Sequence, residues 1–382
     1  MSRPRILVVD DEPGMLRMIE RILSNKYDVR AVRLPGAALE AAGERSFDAA
    51  ILDVRMPEMD GFTLMARLGE LQPDLDVIMM TGSTDERDAR LIRAIREKAF
   101  FFLTKPFDRE VLLTLVQRCL EARRLTRDNR AHLSRLESEL RAAQVFQQSL
   151  LPDRTASMNG FEISFVYEPC DELGGDFCDY ILRDGAPVAI LVSDVSGHGA
   201  SSAMITGMVK QAFHAAVQED YAPASVLERI AEASRLFPDG KYVTAIAVRF
   251  ERGSPDLEYA SGGHPPGLLL RRDGSIVALD ASAPIIHPAL PQWHREPRRI
   301  RMETGDQLLL YTDGLTEAQN SEGDDFGFEH LVAVAPQFAR PGAASDRPEA
   351  APMLVALRQE LARFAGGRPL DDDLTMTLVR RL

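Results

Sequence analysis

Cysteine is scarce. The chain of 382 residues holds three, Cys119, Cys170 and Cys178, with no CxxC pair among them. That argues against a disulfide scaffold or a cysteine-built zinc site and suits a reducing cytosol. Long apolar runs are missing as well: none approaches the roughly 18 residues that a membrane-crossing helix requires. The opening stretch, MSRPRILVVDDEPGM, has too short an apolar run for the core of a secretory signal. A surplus of positive charge is also absent. The formal charge of −13 speaks against a binder of nucleic-acid backbone, whose affinity comes from clustered Lys and Arg. The expectation is a cytoplasmic, soluble protein with neither membrane nor nucleic acid as partner.

What is present is an ordinary globular composition, 45% hydrophobic and 27% charged, in a chain long enough for two domains and a connector. Four short apolar runs come first. Ile6–Val9 ends in Asp10-Asp11, Ala49–Leu52 ends in Asp53, Val77–Met80 ends in Thr81-Gly82, and Phe100–Leu103 ends in Thr104-Lys105-Pro106. Unbroken apolar runs separated by helical patterns mark strands buried on both faces. They predict a doubly wound, five-stranded parallel sheet with its site at the carboxyl ends of the strands.

Those ends carry the chemistry of phosphoryl transfer to a carboxylate. Asp10 and Asp11 supply acids for a divalent cation, Asp53 is the nucleophile, Lys105 neutralises the growing charge, and Thr81 offers a hydroxyl to a phosphoryl oxygen. The segments Val8–Pro13, Asp53–Gly61 and Lys105–Phe107 resemble response-regulator receiver domains. The resemblance implies Mg²⁺ on Asp11, Asp53 and the Arg55 backbone carbonyl, with Asp10 assisting. It also makes Phe102 the aromatic whose rotamer follows Thr81.

From Leu112 to Leu150 Gly and Pro nearly vanish, and Leu133, Leu136, Leu140, Ala143 and Leu150 recur at spacings of three and four. This predicts a helix able to pair with a second copy as a coiled coil, making the protein a homodimer. Thr126, Asn129 and Gln147 interrupt the seam and would leave it adjustable.

Beyond Gly160 the pattern turns strand-like: Phe161–Val166, Val188–Val192, Val243–Phe250, Leu268–Leu270, Gln307–Tyr311 and Leu374–Val379. Helices are expected at Ala200–Val217 and Ser225–Phe237, and a flexible loop between Ala339 and Pro352. Asp stands beside Gly at Gly174-Gly175-Asp176, Asp194–Gly199 and Asp313-Gly314, and three acids adjoin at Asp371-Asp372-Asp373. Carboxylates converging from strand ends can hold two hard divalent cations about 4 Å apart. No Cys-His or Ser-His-Asp pattern supports a covalent nucleophile. Water activated between two cations is the economical alternative.

With Gln147–Pro152, Ala260–Pro266 and Leu315–Ala318, this set resembles the PPM-type (protein phosphatase 2C) family in its SpoIIE-like branch. The resemblance implies an α+β domain, an antiparallel β-sandwich flanked by helices, with two Mn²⁺ or Mg²⁺ ions. Asp176 would bridge the ions and Asp194 would bind one together with the Val195 backbone carbonyl. Asp313 and Asp372 would hold the other, and Asp373 is a further ligand position. For His198 two roles stay open, general acid to the leaving alkoxide or loop element; His264 reads as structural. The expected domains are a receiver at 1–120, a helical linker at 121–152 and a phosphatase at 153–382.

The resulting expectation is a phosphoserine/phosphothreonine phosphatase controlled by Asp53 phosphorylation. The resemblance further implies a phosphorylated STAS-type anti-sigma-factor antagonist as substrate. Only Leu374–Leu382 follows the last motif, so the sensor histidine kinase and the anti-sigma kinase are expected to be separate proteins. The competing expectation is a phospho-regulated adaptor that binds a partner without turnover.

Overall fold

The computed structural model describes residues 3–82, 101–158, 160–251, 253–290, 297–339 and 352–382. Within it the chain forms two compact units, Met1–Leu136 and Glu137–Leu382.

The first unit is a parallel sheet of β1 (Arg5–Val9), β2 (Asp28–Val32), β3 (Ala49–Asp53), β4 (Asp76–Thr81) and β5 (Phe101–Thr104), in the order β2-β1-β3-β4-β5. The apolar runs fill it because every side chain of Ile6–Val9 and Ala49–Leu52 is buried. Helices α1 (Pro13–Leu23) and α2 (Pro35–Glu44) begin at prolines, where the missing N–H costs nothing. Helix α3 (Gly61–Leu71) is capped by the Asp60 carboxylate, which accepts from the Thr63 N–H at 2.7 Å. All strands run parallel, so the residues that follow them gather at one end.

Helix α4 (Arg109–Leu150) has 42 residues. Its first turns bury Leu112, Val116 and Cys119 against the sheet. Leu133, Leu136 and Leu140 are exposed, while Leu150 packs into the core of the second unit. Gln147 departs from the expected seam: it is buried, and its amide is hydrogen-bonded to the Gly174 backbone, so it faces its own domain rather than a second helix.

The second unit is a sandwich of two antiparallel sheets. One has the order β14-β11-β10-β9-β8 and the other β13-β12-β15-β16-β7-β6. The strands are β6 (Thr155–Met158), β7 (Phe161–Glu168), β8 (Asp176–Ile181), β9 (Val188–Val195), β10 (Val243–Phe250), β11 (Asp256–Gly262), β12 (Gly267–Leu270), β13 (Ile276–Leu279), β14 (Arg298–Arg301), β15 (Gln307–Tyr311) and β16 (Leu374–Arg381). Residues of both inner faces, among them Val192, Ile246, Leu310 and Val379, form one core. Helices α5 (Ala200–Glu219) and α6 (Pro223–Ser234) cover the first sheet. Helices α7 (Phe328–Phe338) and α8 (Pro352–Ala365) cover the second.

Several elements have no clear sequence signal. Strand β2 is half exposed along its length and lies at a sheet edge. Strand β8 carries two aspartates in six residues, which disguises its burial. Helix α7 contains Pro336, a residue that ordinarily argues against a helix. The interior of the loop expected between Ala339 and Pro352, and residue Phe100, lie outside the described residues.

Leu191, on β9, is fully buried in the core beneath α5 and α6. Leu191→Ala is expected to cost about 2–5 kcal/mol through lost burial and a residual cavity. The urea midpoint of the second unit reads this; an unchanged midpoint would contradict the packing described.

Candidate functional site

At the carboxyl end of the parallel sheet, Asp10, Asp11 and Asp53 bring carboxylate oxygens within 4.8 Å of one another. Lys105 Nζ donates to Asp10 Oδ2 at 2.7 Å and lies 2.9 Å from Asp53 Oδ1. Asp10, Asp53 and Thr81 are buried, and the Lys105 N–H donates to the Thr81 carbonyl at 2.7 Å. Burial pushes the Asp53 carboxyl above its ordinary value, and Asp10 and Asp11 add to this against the pull of Lys105. Burial alone would lower the Lys105 ammonium, but its bonds to Asp10 and Asp53 outweigh that and hold it raised. Three acids around one ammonium keep a net negative charge, which fits a divalent cation with oxygen ligands. Arg55 follows Asp53 by two residues in the β3–α3 loop, and Phe102 packs against the core beside α2 and α3.

The second centre lies where β8 and β9 meet the ends of β15 and β16. Asp176 and Asp194 are cross-strand partners. Thr312 Oγ1 donates to Asp176 Oδ2 at 2.6 Å and accepts from the Thr375 N–H at 3.0 Å, so Asp313 is carried to the same place. Two glycines permit this approach. A Cβ on Gly175 would collide with the Val195 carbonyl oxygen, and one on Gly314 would collide with the Asp373 carbonyl oxygen.

Electrostatics show that these acids share one pocket. Burial raises Asp194 to about 8, with Asp313, Asp372, Asp373 and Glu317 adding repulsion. Burial, then Asp372 and Glu317, raises Asp313 to about 6. Asp176 is pushed up by burial and then by Asp194. Among the described residues no Lys or Arg pairs with Asp176, Asp194, Asp313 or Asp372, and no three of the four come within 4.8 Å. A cluster this negative, without a paired Lys or Arg, suits hard cations with oxygen ligands.

Asp373 differs from its neighbours. Its Oδ1 accepts from the Cys170 N–H at 2.8 Å, and its Oδ2 accepts from the N–H groups of Gly175 at 2.6 Å and Asp176 at 3.4 Å. Both oxygens are spent on backbone, so Asp373 anchors the loop and Asp372 is the freer ligand. The Cys170 Sγ lies within 4.8 Å of carboxylate oxygens of both. Burial, then Asp373, pushes this thiol up to about 12, which keeps it protonated and a poor ligand.

His198 Nδ1 lies 2.7 Å from Asp171 Oδ2, with its side chain 57% exposed. Its charge would favour ionised Asp372, so it stands at the rim of the pocket. His264 is buried, with Nδ1 2.8 Å from Thr244 Oγ1, and burial lowers it to about 3; it is a neutral core residue. Three contributors escaped sequence reasoning. Thr312 immediately precedes Asp313, and Glu317 follows it by one helical turn, its N–H donating to the Asp313 carbonyl at 2.7 Å, a signal that was available. Lys241 Nζ donates to the Ser196 carbonyl at 2.6 Å and to Ser202 Oγ at 2.8 Å, holding the loop after Asp194; a lone lysine so far away in sequence gives no signal.

A phosphoacceptor fold followed by an acid-lined, antiparallel two-sheet domain defines a response regulator with an output domain of the PPM type. Residues 6–117 match the response regulator receiver domain, and residues 184–382, more than half of the chain, match Stage II sporulation protein E (SpoIIE). The chain belongs to the SpoIIE family. It is 24% identical over 190 residues to the phosphoserine phosphatase RsbU of Bacillus subtilis, covering 49% of this chain and 56% of that one. It is 35% identical over 117 residues to the transcriptional regulatory protein GlrR of Escherichia coli, covering 30% of this chain and 26% of that one. The chain thus spans about half of RsbU and about a quarter of GlrR. The solved SiaA-PP2C domain of Pseudomonas aeruginosa shares the fold, with a TM-score of 0.56 at 24% identity, covering 66% of this chain and 99% of that one.

The raised carboxyls have a consequence for stability. Between about pH 4, where an unfolded aspartate titrates, and pH 8, where Asp194 titrates when folded, the metal-free native state holds more protons than the unfolded chain. Its stability therefore falls as pH rises through that window. In EDTA the melting temperature of the second unit is expected to drop from pH 5 to pH 8. Added Mn²⁺ should remove the drop, with proton release on binding. A melting temperature in EDTA that does not fall over this range would contradict the arrangement.

Proposed function

We propose that the protein is a metal-dependent phosphoprotein phosphatase acting on phosphoserine or phosphothreonine, with its rate set by phosphorylation of Asp53. One observation carries this reading: Asp176, Asp194, Asp313 and Asp372 repel one another, and among the described residues no Lys or Arg pairs with them. A binding module has no need to maintain such a repulsive cluster. The phosphoserine phosphatase activity named for RsbU supports the same chemistry.

In this reading Asp176 would serve both divalent cations, Asp194 and the Val195 carbonyl would hold one, and Asp313 and Asp372 would hold the other. Bound there, Mn²⁺ or Mg²⁺ supplies charge for the phosphoryl oxygens and acidifies water. The protein's own part is to hold the acids together and orient them. Thr312 fixes Asp176, Asp373 fixes the backbone before it, and Lys241 fixes the loop after Asp194. His198, oriented by Asp171 at the rim, is placed to give a proton to the departing serine oxygen.

In the receiver, Asp11, Asp53 and the Arg55 carbonyl, with Asp10 assisting, would hold Mg²⁺, Asp53 would accept a phosphoryl group from a sensor histidine kinase, and Lys105 and Thr81 would hold the phosphoryl oxygens. The exposed Leu133, Leu136 and Leu140 support pairing of two copies through α4. The favoured substrate is a serine-phosphorylated STAS-type antagonist of an anti-sigma factor, in the cytoplasm. Among the described residues no helix is long and apolar enough to cross a membrane.

Phosphate release from a serine-phosphorylated STAS protein is expected to require Mn²⁺ or Mg²⁺ and to fall at least about a hundredfold in Asp194→Asn, the scale of losing a principal electrostatic group. Phosphorylating Asp53 should raise the rate roughly 5–150-fold, and Asp53→Ala should abolish that response. Binding of the phosphoprotein without phosphate release would favour the adaptor reading instead.

A further inference from the structure

Between β11 and β12 the chain passes from one sheet of the sandwich to the other within residues 263–266. His264 lies on this crossing and is only 2% exposed. The residue before it fixes its place. Gly263, at a φ of 62°, donates its N–H to the Ala283 carbonyl at 2.9 Å, and a Cβ there would meet Ile285 Cγ2 at 2.5 Å.

The imidazole reaches toward both sheets. Its Nδ1 lies 2.8 Å from Thr244 Oγ1, and Thr244 on β10 is the cross-strand partner of Asp194. Its Nε2 is buried and makes no hydrogen bond of ordinary length; the backbone carbonyl that acts on the ring is that of Tyr311, the last residue of β15. Thr312, whose hydroxyl bonds Asp176, and then Asp313 follow at once. A carbonyl only accepts, so the proton of the neutral ring belongs on Nε2, and Nδ1 accepts from the Thr244 hydroxyl.

This placement matters because the acids are divided between the sheets. Asp176 and Asp194 stand on the first; Asp313 and Asp372 adjoin strands of the second. Apolar packing between the sheets is non-directional and resists sliding weakly, while repulsion among the carboxylates acts to part them. A side chain with a donor and an acceptor on one rigid ring, set beside the acids, opposes both movements without adding charge.

We propose that His264 is a positioning residue for the metal centre: it ties Thr244, beside Asp194, to the Tyr311 backbone, two residues before Asp313, and so sets how far apart the two halves of the centre stand. The proposal deepens the two-cation reading above and rests on it. Asparagine places its amide near the position of Nδ1 and keeps the Thr244 side of the tie. Glutamine places it near Nε2 and keeps the Tyr311 side. Phenylalanine keeps the ring volume and neither polar contact.

The test is electron paramagnetic resonance of the full chain titrated with Mn²⁺, alongside hydrolysis of p-nitrophenyl phosphate. Two Mn²⁺ ions about 4 Å apart give a spin-coupled signal, which the single ion of a receiver does not. His264→Phe is expected to raise the Mn²⁺ needed for half of the coupled signal about tenfold, the scale of a single net hydrogen bond, and to change the strength of the coupling. The Mn²⁺ needed for half-maximal rate should rise equally, with the rate at saturating Mn²⁺ within about twofold. His264→Asn and His264→Gln should lie between. Thr244→Val removes one contact from the other side at nearly constant shape, should match His264→Gln, and serves if the phenylalanine variant does not fold. A merely structural histidine would lower the melting temperature in EDTA and leave the coupled signal and its Mn²⁺ dependence unmoved; that result overturns the proposal. A wild type without any coupled signal overturns it together with the two-cation centre. A wild type with the coupled signal but no hydrolysis sinks the phosphatase reading alone, since the signal still measures the tie.

Discussion

Mutual repulsion among carboxylates gathered at one end of the two sheets is the constraint around which the second domain is built. Asp176, Asp194, Asp313 and Asp372 come from four separate stretches of chain, and each raises the energy of ionising another. Left to themselves, such groups would separate or stay protonated. They are held together by contacts that do not use their charge: the β8–β9 ladder, the Thr312 hydroxyl, and the backbone N–H groups gathered by Asp373. Burying the sandwich core is what makes this arrangement tolerable, because the repulsion is small beside the burial of two sheets and four helices.

The receiver solves a similar problem differently. Its three acids surround Lys105, whose ammonium touches two of them, so the site is held partly neutral. The second centre has no such ammonium among its described neighbours. Lys241, which reaches the loop after Asp194 from the segment before β10, is committed to Ser196 and Ser202. A resident lysine suits a site whose aspartate must itself be modified, since it can stabilise the added phosphoryl oxygens. The proposed two-cation site would do better without one, because a fixed cation would compete with the dications.

Much of this was legible in the sequence, and the reasons are local. The parallel sheet announced itself because Ile6–Val9 and Ala49–Leu52 are buried on both faces, so nothing polar interrupts them before the functional residue. The acids of the second domain stood out because close backbone approach demanded glycines beside them, as at Gly175 and Gly314. Strand β8 was hidden by the two aspartates that give it purpose, and β2 by its place at an edge. The difference between Asp372 and Asp373 could not be read from adjacency. It depends on which carboxylate finds backbone N–H groups nearly two hundred residues away.

Gln147 illustrates the same limit from the other direction. Heptad spacing counts it as a flaw in a helix–helix seam, because periodicity reports the angle of a side chain around its own axis and not what lies opposite. In the structure α4 has buried residues near both ends, Leu112, Val116 and Cys119 in one core and Leu150 against another, with an exposed stretch between. A helix of this length gains little from intrinsic propensity in its middle turns, and its ends are where tertiary contacts fix its rotation. A polar residue at such an end, bonded to the backbone of Gly174, is therefore more restrictive than an apolar one. Leucine tolerates sliding, whereas an amide bonded at both atoms accepts one register.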